Sequence, residues 1–192
     1  MHPRILAVMA VAVAGSACAG FGSDRINYIN VDTSYSPNEF VYASSPGEIR
    51  TVVLGNPYDV ADDRFRDIVT RSMYGHHFGR ATNFTTAPSE KAMHNYKVVI
   101  LFDAPPTVGG PAACVKEPGH EFETAPAKAE TTKINVIAAF CSSNEPLTYL
   151  AAVADKGPAP DQSFEAFIGE ITLELFPPIN RENLPDHDIL LP

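Results

Sequence analysis

A chain of 192 residues with 14 Lys+Arg against 23 Asp+Glu carries a formal charge of −9. That field repels polyanions, so it argues against nucleic acid and against broad binding to anionic lipid, and it favours solubility. Roughly 150 ordered residues suit one domain with a real core, in which disulfides help without being obligatory.

The first signal is N-terminal. Met1-His2-Pro3-Arg4 gives a short positive start, and Ile5 to Ala14 is an uncharged apolar run. About ten apolar residues span ~15 Å as a helix, half a bilayer core, which predicts a secretory h-region and not a membrane anchor. Small residues follow in Gly15-Ser16-Ala17-Cys18-Ala19. Ser16-Ala17-Cys18 resembles the end of a bacterial lipobox, which would make Cys18 an acylated first residue. Ala17-Cys18-Ala19 also satisfies the A-x-A rule of ordinary secretory cleavage. Gly15 stands where lipoboxes usually carry an aliphatic residue, whereas Gly22-Ser23-Asp24-Arg25 suits a tether. The reading is a signal segment over 1–18 with lipid on Cys18; a soluble periplasmic protein is the alternative. Either cleavage leaves Cys114 and Cys141 as an even pair, expected as a structural disulfide in an oxidising compartment. Closing that loop is worth roughly 3 kcal/mol on the chain-entropy model.

The remaining elements follow in order. Residues 19–47 are expected to be a tether leading into the domain, ending in a helical turn or two over 38–44. Ile49 to Leu54 is β-branched and stopped by Gly55-Asn56-Pro57, a predicted strand. Phe65, Ile68, Val69, Ser72 and Met73 fall on one helical stripe. Asp59, Asp62 and Asp63 precede it, Arg71 lies in the last turn and Gly75 ends it, predicting a helix over about 60–74. Residues 80–86 form a weak candidate strand and 96–102 a strong one, bracketed by Lys97 and Asp103. A Pro/Gly-rich loop over 104–133 contains Cys114; its length makes it the place to look for binding. Two strands over 134–141 and 147–153 are joined by a hairpin turn, Ser142 to Pro146. Asp161 or Ser163 caps a last helix with Phe164, Phe167, Ile168, Ile171 and Leu175 at helical spacing, and Pro177-Pro178 stops it. The single domain spans 48–178 and an extended tail 179–192. The fold class is α+β: a two-layer sandwich with two amphipathic helices on one face of a mainly antiparallel, four- to five-stranded sheet.

No catalytic, cofactor-binding or metal site is assigned. His76-His77, with His94 or His120, is a tempting ligand set. Adjacent imidazoles on extended chain point to opposite faces, however, and no HxH, HExxH or HxxxH spacing occurs. Asp186-His187-Asp188 lies in the tail without a rigid scaffold. Cys114 and Cys141 are not a CxxC pair. GxSxG, GxxxxGK[ST] and GxGxxG are absent, and Gly109-Gly110 sits outside any strand–helix context. Asn83-Phe84-Thr85 matches a glycosylation sequon only by composition. The expected role is therefore a non-enzymatic envelope module, facing the periplasm and anchored to the outer membrane through Cys18, with an envelope protein as partner. The alternatives are a periplasmic enzyme using His76, His77 or Asp103, or a small-ligand carrier with a pocket between sheet and helices.

The signal, Cys18, the strand 49–54 with Gly55-Asn56-Pro57-Tyr58, and Leu173-Glu174-Leu175-Phe176-Pro177-Pro178 together resemble uncharacterised proteobacterial exported lipoproteins. The resemblance implies an envelope address and no particular activity. The element order is also similar to small outer-membrane assembly lipoproteins, including the lipopolysaccharide-translocon plug, in which two helices cover a four-stranded sheet. That likeness is architectural, and fold does not confer function.

Overall fold

The apolar run Tyr96–Phe102 forms a strand with all seven residues buried, as a run without alternation requires when both faces are covered. The computed structural model in which it lies describes residues 24–105, 107–119 and 132–180. In chain order the elements are β1 (Arg25–Val31), α1 (Pro37–Ala43), β2 (Glu48–Leu54), α2 (Asp62–Met73), β3 (Asn83–Thr85), β4 (Tyr96–Phe102), α3 (Gly110–Cys114), β5 (Lys133–Ser142), β6 (Glu145–Asp155) and α4 (Gln162–Leu175).

All six strands join one sheet in the order β1-β6-β5-β4-β2-β3. The sheet is mixed. β2 runs parallel to both β4 and β3, and the remaining pairs are antiparallel. This corrects the expected mainly antiparallel sheet of four to five strands. The cause is α2, which carries the chain from one end of the sheet to the other and so returns it in the same direction. A further correction concerns residues 25–31, expected as part of a tether. They form β1, paired with β6 from Arg25↔Val153 to Val31↔Thr148. The β5–β6 turn is also tighter than expected, because Ser142 pairs with Glu145 and leaves only Ser143-Asn144 to turn the chain. Ser143 takes φ 56°, the left-handed region that two-residue hairpins need.

The amphipathic helices match their stripes. Phe65, Val69 and Met73 of α2 are buried, and Asp62 and Asp63 occupy its first turn, where carboxylates suit the helix dipole. In α4 the Asp161 carboxylate accepts a hydrogen bond from the Phe164 N–H at 3.0 Å, satisfying one orphan donor. Helices α1, α2 and α4 share the core on one face of the sheet, around Phe40, Phe65, Phe102, Phe140, Phe164 and Phe176. Gly55, with φ +80°, closes β2 against β4, where a Cβ would lie 2.4 Å from the Phe102 carbonyl oxygen. The opposite face carries a smaller cluster, Val52, Val99, Leu101, Ala113, Cys114, Ala139 and Cys141, under the short helix α3. Among the described residues no helix is long and apolar enough to cross a membrane.

Candidate functional site

The second face of the sheet is covered by a loop of polar and small residues rather than by a long helix, and it concentrates the unusual chemistry of the described chain. Gly110 starts α3 against Tyr149 of β6; a Cβ there would lie 2.4 Å from the ring, so only glycine permits this approach. Four residues later Cys114 bonds to Cys141 of β5, with Cα atoms 5.7 Å apart and both residues fully buried.

Beyond α3, Glu117 turns back onto the sheet. Lys97 of β4, paired in register with Cys141, runs its apolar stem over this face with its side chain only 6% exposed. Its ammonium donates to Glu117 Oε1 at 2.6 Å and to the Lys116 carbonyl oxygen at 3.2 Å. Arg50 of β2 pairs with the other oxygen of the same carboxylate. Burial alone would raise the pKa of Glu117. The hydrogen bonds from Lys97 and Arg50, with their charges, outweigh burial and hold the carboxyl below its ordinary 4.5. One carboxylate thus bridges two cations from two strands, and the loop is latched by one covalent and two ionic links.

At the β1 side of α3 lies a cleft of about 360 Å³ lined by Asn30, Asp32, Ser34, Pro111, Glu145, Pro146 and Tyr149. Asp32 accepts hydrogen bonds from Ser34 N–H at 2.8 Å and Ser34 O–H at 2.6 Å, which lower its pKa. Above it Tyr28 and Tyr149 meet with ring centroids 5.5 Å apart. The Tyr149 hydroxyl donates to that of Tyr28 at 3.4 Å; this bond and then burial raise the Tyr149 phenol above 10.0. The lining sets the Asn30 amide, the Ser34 hydroxyl and the Asp32 and Glu145 carboxylates beside Pro111, Pro146 and the Tyr149 phenol, suited to hydrogen-bonding a polar segment.

The candidate residues from sequence fall as follows. Cys114 and Cys141 come together. Cys18, His120 and Asp186-His187-Asp188 lie outside the described residues. His76 is exposed, its ring close against Gly169 of α4. His77 packs between Phe40 and Phe84; its Nδ1–H donates to the Phe78 carbonyl at 3.0 Å, leaving Nε2 buried without a partner. His94 is exposed before β4. Asp103, at φ 49°, closes β4 onto β5 by accepting from Asn135 N–H at 3.0 Å. The partners of His77 and Asp103 are therefore backbone groups of separate elements. Among the described residues no group of three or more His, Cys, Asp or Glu is placed to hold a metal. Gly109 caps α3, and Asn83-Phe84-Thr85 is β3 with Phe84 buried. From the sequence, Lys97 has no role beyond bracketing a strand, and neither Glu117 nor Arg50 is singled out. The available signal was a lysine inside an otherwise apolar strand, which demands a counter-charge. No family model, curated protein or solved structure matches the chain.

Proposed function

We propose that this chain is an exported cell-envelope lipoprotein, tethered to the outer membrane through Cys18, with a periplasm-facing domain that serves as a non-enzymatic binding or assembly module. The observation that carries this reading is the disulfide between fully buried Cys114 and Cys141. Such bonds persist in oxidising compartments. With that pair spent, Cys18 is the one cysteine left of three, and it sits directly behind the apolar N-terminal run. An odd cysteine in an exported chain calls for a modification or an intermolecular bond. Only six residues separate Cys18 from Arg25, a reach of about 20 Å, so the domain would ride close to the bilayer. The latched loop and its polar cleft are the surface we assign to the partner.

Membrane fractionation tests the reading. The wild-type chain is expected with the membranes and released by detergent, and Cys18→Ser in the soluble fraction. Membrane attachment that survives Cys18→Ser, with no lipid on residue 18, contradicts the tether. Crosslinking in intact membranes should capture an envelope protein through the 107–119 loop; a chain that captures none contradicts the module role.

A further inference from the structure

A sheet edge is an unfinished hydrogen-bond ladder, and proteins usually blunt it by keeping it short or by adding Lys or Pro. One edge of this sheet obeys that rule, since β3 has only three residues. The other does not. β1 has seven residues, RINYINV, with neither Lys nor Pro, and it leaves Tyr28 48% and Ile29 40% exposed. Among the described residues its only strand partner is β6.

We propose that β1 pairs antiparallel with β1 of a second copy of this chain, joining the two sheets into one about a two-fold axis at Ile29. Strand register favours this pairing. A two-fold axis normal to a sheet keeps each face on its own side, so residues brought opposite one another must share a face. Pairing with β6 assigns the faces. Ile26, Ile29 and Val31 oppose Ala152, Leu150 and Thr148 on the helix-covered side. Arg25, Tyr28 and Asn30 oppose Val153, Ala151 and Tyr149 on the other side, where Asp32 also lines the cleft with Asn30 and Tyr149. Between Ile26 and Tyr28 the strand carries a bulge at Asn27.

With the axis at Ile29, each side chain then meets one of matching chemistry on its own face. Ile29 meets Ile29, and Tyr28 meets Asn30. Past the bulge the register steps by one, so Ile26 meets Val31 and Arg25 meets Asp32. Across the dimer, three apolar pairs and two opposite-charge pairs result. Without the bulge the match would fail, because Ile26 would face Asp32. The bulge that discourages pairing with unrelated strands thus selects a second copy, which brings the same bulge. An edge contact alone belongs to the weaker class of interfaces, so association depends on concentration.

Charge reversal separates this arrangement from any other dimer. The experiment uses the full chain carrying Cys18→Ser, so its outcome does not depend on lipid. Sedimentation velocity is expected to show a reversible monomer–dimer equilibrium. Arg25→Asp or Asp32→Arg alone sets like charges opposite each other twice, weakening the dimer by about tenfold or more. Combining them restores opposite charges and should bring affinity back to within about threefold of the parent. Ile29→Cys should form an intermolecular disulfide on mild oxidation, whereas Tyr74→Cys, exposed at the C-terminal end of α2, should not. Circular dichroism confirms that each variant folds. A strictly monomeric chain, a dimer indifferent to either reversal, or a folded double variant that stays dissociated overturns the proposal.

Discussion

Glu117→Ala measures what the ionic latch contributes, and the structure makes its effect asymmetric with that of its partner. The Lys97 side chain is 6% exposed and the Glu117 side chain 35% exposed. Deleting the carboxylate leaves the ammonium on the sheet with the Lys116 carbonyl as its one hydrogen-bond partner among the described residues. Removing one partner of a fully buried pair costs about 3–5 kcal/mol. Because Glu117 reaches solvent, that figure is discounted to about 1–3 kcal/mol. Lys97→Met instead removes the charge that had to be desolvated and keeps an unbranched apolar stem of similar volume, while Glu117 retains Arg50. Its expected cost is within about 1 kcal/mol of zero. Urea unfolding near neutral pH, followed by circular dichroism, gives both midpoints at unchanged slope. A Lys97→Met variant less stable than Glu117→Ala would refute the reasoning, since the latch would then act through lysine packing and not through charge.

The same carboxylate makes the latch sensitive to acid. Its folded pKa lies below the ordinary 4.5, so the stabilisation is complete above that value and disappears as pH falls through the lower folded one. The stability gap between wild type and Glu117→Ala should therefore narrow as pH falls below 4.5 and through the lower folded value; a gap unchanged by acid would contradict the assignment. Reducing Cys114–Cys141, which closes a separation of 27 residues, should cost about 3 kcal/mol. The loss should be visible as a lower melting temperature in dithiothreitol and be absent in a Cys114→Ala/Cys141→Ala chain given the same treatment. Gly110→Ala places a methyl inside the Tyr149 ring contact and should destabilise by about 1–3 kcal/mol as α3 shifts. Gly55→Ala should cost at least as much, because its positive φ adds backbone strain to the clash with Phe102. Thermal melts of both variants check these values.

The helices and the central strands were legible because their periodicity is unmixed. Phe65, Val69 and Met73 could only form a helical stripe, and Tyr96–Phe102 could only form a strand buried on both faces. The cap of α4 was legible as Asp161 or Ser163 because capping chemistry is local, and Asp161 is the one that accepts from the Phe164 N–H. β1 was not legible, since Arg25, Asn27 and Asn30 have poor strand propensity and the strand exists through its ladder with β6, more than a hundred residues away. The parallel β2–β4 pairing escaped for a related reason, because nothing local in β2 records which way its neighbour runs. At the candidate site the disulfide followed from cysteine parity. The Lys97–Glu117–Arg50 bridge did not, because it joins two strands to a loop that carries no periodic signal.

The central claim is that an acylated Cys18 begins the mature chain and that Cys114 and Cys141 are joined. Intact-mass spectrometry of the native protein tests all of this at once. The expected mass is that of a chain starting at residue 18, heavier by its acyl groups and lighter by two hydrogens for the disulfide. A mass beginning at Met1, with two titratable thiols at positions 114 and 141, would contradict it.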